Sequence, residues 1–233
     1  MIEFVDVPST GRRFELESRV RLSDITTSGE LRLDGVARTL QDIATDDWDA
    51  SGIDTSVAWV ARRTAFRWTG DYWPRYQDRV RALTWCAGAG PAWAERRTNL
   101  YVGETLCFEA ASLWVPISAE GAPVRIPADF YDVYGEAMGG RKVSARVRQT
   151  APSADFVGQP FVIRRADLDI MGHVNNAAVW QVVAEYVAPP VRYAELVHYG
   201  PVEMDHDVTV GVEEDQVWLL VDGDVRVSGS VVR

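Results

Sequence analysis

Asp167-Leu168-Asp169-Ile170-Met171-Gly172-His173-Val174-Asn175-Asn176, running straight into the apolar stretch 177–187, is the part of the chain from which the rest can be read. The stretch after the polar turn has helical spacing. Val174, Ala177, Ala178, Val179, Trp180, Val182 and Val183 make it apolar nearly all round. Such a helix is expected to be wrapped by a sheet rather than laid on a surface. Two carboxylates, a histidine and two carboxamides crowd the mouth of that helix, where unpaired backbone N–H groups favour negative charge. Asp169 and His173 are four residues apart, so a local curl turns both toward one ligand, and Gly172 lets the backbone come close to it. The plainer alternative is a solvated turn whose Asn175 or Asn176 caps the helix.

A sparser copy of the same stretch lies earlier in the chain. Moving the numbering by 143 places Asp24 on Asp167, Gly29 on Gly172 and Asp42 on Glu185. Thr26, Ser28 and Glu30 then stand where the later copy has Asp169, Met171 and His173. The first copy keeps the frame and lacks the chemistry. Around each copy the order strand, turn, helix, strands repeats. In the first half, residues 14–21 read as a strand and 33–48 as a helix that Asp34 can cap. Residues 58–68, 78–86, 93–102 and 106–116 read as further strands. In the second, 157–165 reads as the first strand and 174–187 as the helix, stopped by Pro189-Pro190. Residues 192–201, 207–213, 217–221 and 225–232 follow as strands, with Asp222-Gly223 as a hairpin turn. Residues 127–152 are polar and Gly-bearing, which suits a linker with some helix in it. A cut near Gly140 gives halves of 1–139 and 140–233.

Asp167-Leu168-Asp169, then His173-Val174-Asn175-Asn176 and a helix reaching Glu185, resembles the second-half signature of the acyl-ACP thioesterases, double-hotdog enzymes of plants and bacteria. The shorter pattern with Gly172 before His173 is similar to single-hotdog acyl-CoA thioesterases. Trp59 to Arg62, Tyr72-Trp73-Pro74, Asp78, Trp85 and Trp114-Val115-Pro116 resemble the family's first-half pattern. The likeness spans roughly 14–227 and is strongest at 167–176. It implies an α+β chain of two tandem hotdog domains, each an antiparallel sheet around a central helix. The implied reaction is hydrolysis of a fatty acyl-ACP or acyl-CoA thioester to free acid and thiol, in fatty acid biosynthesis, with no cofactor. It places Asp169 and His173 in the catalytic set, and Glu203 as the nearest match to a family glutamate on the strand after the helix. The first hotdog is implied to house the acyl tunnel, with Trp59 among its wall residues. Plant members carry a catalytic Asn where this chain has Met171. That departure leaves an acyl-thioester-binding protein without turnover as a rival. An enoyl-thioester hydratase or dehydratase is the lesser rival, because its Asn and Pro are missing between Asp169 and His173.

Thioester hydrolysis needs a nucleophile, a proton manager and donors for an oxyanion. Asp169 can act as general base for water or attack directly. His173 can polarise the carbonyl or protonate the leaving thiolate. Backbone N–H groups from Gly172 to Val174 are the expected oxyanion donors. Asp167 is read as a brace of the turn, and Asn175 and Asn176 as orienting groups. Glu185 is expected to be buried on the inner helix. Arg62, Arg63, Arg67, Arg79, Arg81, Arg96 and Arg97 are strand residues that could form a patch for a phosphopantetheine carrier, or simply a solvated face.

Composition narrows the partners. A net charge of −10 argues against nucleic-acid binding and requires a local basic patch for an acidic carrier protein. Cys86 and Cys107, the only cysteines, lie in apolar runs and read as reduced core thiols. Three histidines, His173, His198 and His206, form no cluster with cysteine, so no metal is expected. No run is long enough to span a membrane, and the start of the chain lacks an export signal, so a cytoplasmic protein is expected. A double hotdog pairs its halves within one chain, so monomer and homodimer are both compatible.

Overall fold

The computed structural model describes residues 2–53, 57–147 and 149–233. Met1, at the start read above, and Arg148, in the 127–152 stretch, lie outside them. The elements of the first half are β1 (Phe14–Arg19), α1 (Leu33–Asp49), β2 (Ala58–Trp68), β3 (Arg79–Gly90), β4 (Trp93–Val102), β5 (Thr105–Ile117) and α2 (Ala128–Met138). Those of the second are β6 (Gln159–Phe161), α3 (Asn176–Tyr186), β7 (Tyr193–His198), β8 (Val208–Glu213), β9 (Gln216–Val221) and β10 (Asp224–Val232). All strands join one sheet in the order β1-β3-β4-β5-β2-β7-β10-β9-β8-β6. Read from the middle outward, the two halves have the same order. β2 answers to β7, β5 to β10, β4 to β9, β3 to β8 and β1 to β6. The seam is the antiparallel pairing of β2 with β7, in register from Arg63 opposite Val197 to Arg67 opposite Tyr193.

Each half curls five strands around one helix, the tandem hotdog arrangement of an α+β chain. The apolar periodicity explains why both helices go inside. Val36, Leu40 and Ile43 of α1 and Ala177, Trp180 and Val183 of α3 enter one continuous core with Phe66, Phe108, Leu196 and Leu219 of the sheet. Trp180 is fully buried, its ring 4.8 Å from that of Phe66 across the seam. α1 and α3 therefore lie side by side in one hollow.

The structure corrects three details. The 127–152 stretch is not simply a linker, because α2 packs against β3. Phe130, Tyr134 and Met138 form a second core there with Ile53, Cys86 and Ala89. The strand expected over 157–165 shrinks to β6, an edge strand whose Pro160 has no N–H to donate. Asp34 does not cap α1. Its fully buried carboxylate is gripped by Arg32 (2.9 and 2.8 Å) and Arg38 (2.6 Å).

Burial alone would push the Asp34 carboxyl up, but hydrogen bonds and charge from Arg32 and Arg38 outweigh it and hold the pKa below the ordinary value. Glu95 is held down in the same way by Arg97 and Arg141 against its burial. A depressed folded-state pKa adds stability that is present above the unfolded pKa and disappears as pH falls through the folded one. Denaturant unfolding between pH 6 and pH 3 is therefore expected to show a loss below about pH 4 that Asp34→Asn makes shallower. An unchanged acid limb in that variant would remove Asp34 from the account.

Candidate active site

The loop before α3 is shaped by its own backbone. A single 3-10 turn, Arg165–Asp167, precedes it. The Asp169 N–H donates to the His173 carbonyl (2.8 Å), that of Gly172 to the Asp169 carbonyl (3.0 Å), and that of Asn175 to the Asp167 carbonyl (2.8 Å). Gly172 takes φ +80°, a conformation side chains disfavour. Asp167, 3% exposed, accepts from the Arg164 N–H (2.8 Å) and guanidinium (2.7 Å) and so braces the turn. The Asn175 side chain caps α3 by accepting the Ala177 N–H at 2.8 Å.

The loop before α1 repeats this bond for bond at the same offset of 143. Thr26 N–H donates to Glu30 (2.8 Å), Gly29 to Thr26 (3.0 Å) and Arg32 to Asp24 (2.8 Å), and Gly29 has φ +83°. The difference lies in the side chains. Thr26, Ser28 and Glu30 hydrogen-bond among themselves in the first loop. Asp169 in the second uses one oxygen, Oδ1, to accept the Met171 N–H (2.9 Å) and the His173 N–H (3.2 Å). Its Oδ2 has no partner among the described residues.

Asp169 stands on the wall of a cleft of about 410 Å³, within the range of small-molecule sites. Gln41, Ala44, Thr45 and Trp48 present one face of α1 to it. The sheet supplies Trp59, Cys86, Ala94, Arg96 and Trp114, and α2 supplies Phe130. The second half closes it with Asp169, Ile170, Met171, Asn175 and Asn176. Trp48 and Phe130 sit 5.5 and 5.7 Å from Trp59, ring to ring. The hollow is thus walled mainly by the first half, and the loop of the second brings a carboxylate to it.

Of the residues singled out from sequence, Asp169, Asn175, Asn176 and Trp59 meet in this cleft, and Met171 faces it too. His173, Glu203, Gly172 and Val174 are beside it and not on its wall. His173 Nε2 lies 3.8 Å from a carboxylate oxygen of Glu203, and the two residues pair as a short antiparallel bridge. The expected oxyanion donors need correction. The N–H groups of Gly172 and His173 both serve Asp169, and that of Val174, a core residue, donates to the Val202 carbonyl at 2.8 Å. At the start of α3 the Asn176 N–H has no backbone partner among the described residues, which makes it the candidate donor instead. Glu185 is exposed, not buried, so it contributes no inner charge.

Sequence reading missed the polar floor of the cleft. Arg96 donates to Asp47 at 2.6 Å, and Asp47, 1% exposed, also accepts from Arg12 (2.6 Å) and the Tyr134 hydroxyl (3.1 Å). Burial would pull the Arg96 guanidinium down, but the Asp47 charge outweighs it and holds its pKa above the usual value. A signal was present for the helix face only, since Gln41, Ala44, Thr45 and Trp48 share helical spacing. The strand arginines, read as a carrier patch or a solvated face, are each engaged within the chain. Arg63, Arg67, Arg79, Arg81, Arg96 and Arg97 each pair with a carboxylate, and Arg62 donates to the His198 carbonyl. His198 is held neutral, its pKa pulled down to about 4 by burial and then by Arg62. Cys86 and Cys107 are free, and burial pushes both thiols up to about 11.

Comparison with known proteins agrees with the fold. The family model described as acyl-ACP thioesterase N-terminal domain matches residues 11–134, and that of the C-terminal domain matches 150–217. An uncharacterized protein of Mycobacterium tuberculosis is 25% identical over 244 residues, covering 100% of this chain and 96% of its own. The 12:0-ACP thioesterase of Umbellularia californica superposes with a TM-score of 0.75 at 16% identity, over 94% of this chain and 96% of that one. An acyl-ACP thioesterase of Bacteroides thetaiotaomicron gives 0.75 at 15% identity, over 94% and 97%.

Proposed function

The chain belongs to the acyl-ACP thioesterase family, and from that premise we propose that it hydrolyses a fatty acyl-ACP or acyl-CoA thioester at Asp169. The observation that carries the reading is the half-free carboxylate. Asp169 is fixed through Oδ1 by two backbone N–H groups, its Oδ2 has no partner among the described residues, and the residue lines a largely apolar cleft. An acyl chain lying against Trp48, Trp59 and Phe130 would bring its thioester to the loop.

Asp169 takes a proton from water as the hydroxyl adds to the thioester carbonyl. The oxyanion that forms is held by the Asn176 N–H and the carboxamide of Asn175 or Asn176. Collapse breaks the C–S bond, and a proton passes to the leaving thiolate. His173, off the wall beside Glu203, would assist by giving a proton of its own to the thiolate from the solvent side, Asp169 then releasing its proton to water. The first half, 1–139, would supply the acyl pocket and the second, 140–233, the chemistry. The setting would be fatty acid biosynthesis in the cytoplasm, by a monomer or a homodimer. No helix among the described residues is long and apolar enough to cross a membrane.

The test is hydrolysis across a panel of acyl-ACPs and acyl-CoAs. The parent is expected to release thiol, and His173→Ala to slow release by about 10- to 100-fold, a modest acid–base contribution. Acyl chains that bind without any release of thiol would favour the binding-protein reading, for which Met171 on the cleft wall speaks. Met171→Asn would then be the variant to assay.

A further inference from the structure

Arg96 brings a guanidinium to the wall of the cleft, and only one of its nitrogens is in use. Nη1 donates to Asp47 (2.6 Å) and to the Thr84 hydroxyl (3.4 Å). Nε and Nη2 have no hydrogen-bond partner among the described residues. Neither is sealed off. The enclosed, unpartnered guanidinium nitrogens of the described residues belong to Arg63, Arg97 and Arg226, not to Arg96. The Arg96 side chain keeps 11% of its surface accessible, on the inner face of the sheet where it forms the cleft wall.

Nε and Nη2 make up the side edge of a guanidinium, whose parallel N–H groups match the two oxygens of a carboxylate. The same chain shows that grip elsewhere. Arg32 holds Asp34 with Nε at 2.9 Å and Nη2 at 2.8 Å. The local charge also leaves room for an anion. Asp47 answers both Arg12 and Arg96, so one positive charge is left over. Burial pushes the Cys86 thiol up to about 11 and raises the Tyr134 hydroxyl, so neither supplies a counter-charge. A surplus charge away from bulk water is costly until a partner meets it. A hydroxyl or carbonyl would take up a donor and leave that charge unanswered.

Strand register puts this edge at a closed end of the cleft. Arg96 lies directly opposite Cys86 of β3, and both are on the wall. Further along the same face Ala94 pairs with Trp114, and Trp59 pairs with Pro116 beyond it. In the other direction the next pair is Thr84 and Thr98. Both are buried, bonded to each other at 3.0 Å, and off the wall. Asp169 shares the cleft but makes no ion pair with Arg96, so the two charges are held apart. An acyl chain that reacts at Asp169 and fills this end arrives there with its terminal carbon. The wall of Trp59, Trp114 and Ala94 that leads to it suits hydrocarbon.

We propose that the acyl group taken by this cleft ends in a carboxylate held by Nε and Nη2 of Arg96, the substrate being the monothioester of an α,ω-dicarboxylic acid. This deepens the thioesterase reading and rests on it for where the thioester lies.

The experiment reads binding without turnover. Non-hydrolysable thioether analogues on pantetheine are titrated against the full protein by tryptophan fluorescence. They are plain chains of several lengths, the same chains ending in a carboxylate, and the methyl esters of those carboxylates. At one length at least, the carboxylate is expected to bind about tenfold or more tighter than its plain counterpart, the worth of a hydrogen bond to a charged group. The methyl ester keeps the oxygens and loses the charge, and should lose that advantage. Arg96→Gln should abolish the ratio, and Arg96→Lys, which keeps the charge but not the fork, should retain part of it. If Arg96→Gln fails to fold, the ester arm decides the matter in the parent protein. No carboxylate preference at any length, an equal preference for the ester, or a preference that Arg96→Gln leaves intact overturns the proposal. Arg96 is then only the partner of Asp47, with water on its free edge. Failure of every analogue to bind overturns it too. Carboxylate preference in a protein that hydrolyses no thioester would sink only the catalytic reading. Hydrolysis without the preference would sink only this one.

Discussion

Asp169→Asn is expected to leave a folded protein that hydrolyses acyl thioesters about 10³-fold more slowly than the parent, in the middle of the range for a positioned acid–base group. The substitution isolates chemistry from structure. The Asn oxygen can still accept the Met171 and His173 N–H groups that shape the loop, so the turn, the Gly172 conformation and the cap of α3 need not change. What disappears is the negative charge and the basicity of the second oxygen. An amide cannot take a proton from water at neutral pH. Steady-state rates on the best substrate, with a melting temperature close to the parent's, check both halves of the expectation. If the variant keeps more than about a tenth of the activity, Asp169 is a loop-former and the base must be sought elsewhere, His173 first. Asp169→Ala should lose activity too, but it also frees two N–H groups and so says less.

Asp47→Ala is expected to destabilise the protein by about 3–5 kcal/mol, the usual cost of removing one partner of a buried ion pair. The carboxylate is 1% exposed and receives Arg12, Arg96 and the Tyr134 hydroxyl. Without it two guanidinium groups face each other near the Tyr134 ring with no counter-charge. Asp47→Asn keeps one acceptor and turns the other oxygen into an amide donor beside a guanidinium, so it should recover only part of that loss. Urea unfolding of the three proteins measures the series. A loss under about 1 kcal/mol for the alanine variant would mean that water entering the cleft solvates Arg96 well enough to replace its partner. Because Arg96 is also a wall residue, any folded Asp47→Ala protein should bind acyl chains differently from the parent.

The repeat was legible from three aligned positions, and the structure shows why so few were enough and why no more were visible. What the two loops share is a set of backbone hydrogen bonds, and only Gly29 and Gly172, at positive φ, depend on a particular residue type. Asp24 and Asp167 match in name but not in partner. Asp24 accepts from Arg38 and Asp167 from Arg164. The enclosed helix α3 was readable because apolar residues all round leave no face for water. α2 was legible only as some helix within a linker, because Asp129, Asp132 and Glu136 interrupt its apolar residues, and the packing of Phe130 and Tyr134 on β3 is what makes it a core helix. Asp169 and Trp59 could be named in advance because each sits in a local pattern. Asp47 could not, and Arg96 stood out only as one of several strand arginines. They are brought together by strand pairing and helix packing, and nothing in their immediate neighbours marks them.

The seam between β2 and β7 has a consequence for counting. Two identical subunits meeting about such an axis would carry two equal loops and two equal hollows, and would turn over two substrates at once. Here the loops have diverged within a single polypeptide. One holds Asp169, and the other holds Thr26, Ser28 and Glu30 bonded to one another. The approximate twofold axis survives in the backbone and is broken in the side chains, so the proposed role of Asp169 gives one reaction centre per chain. On that reading the partner loop keeps the same backbone frame and carries no catalytic group.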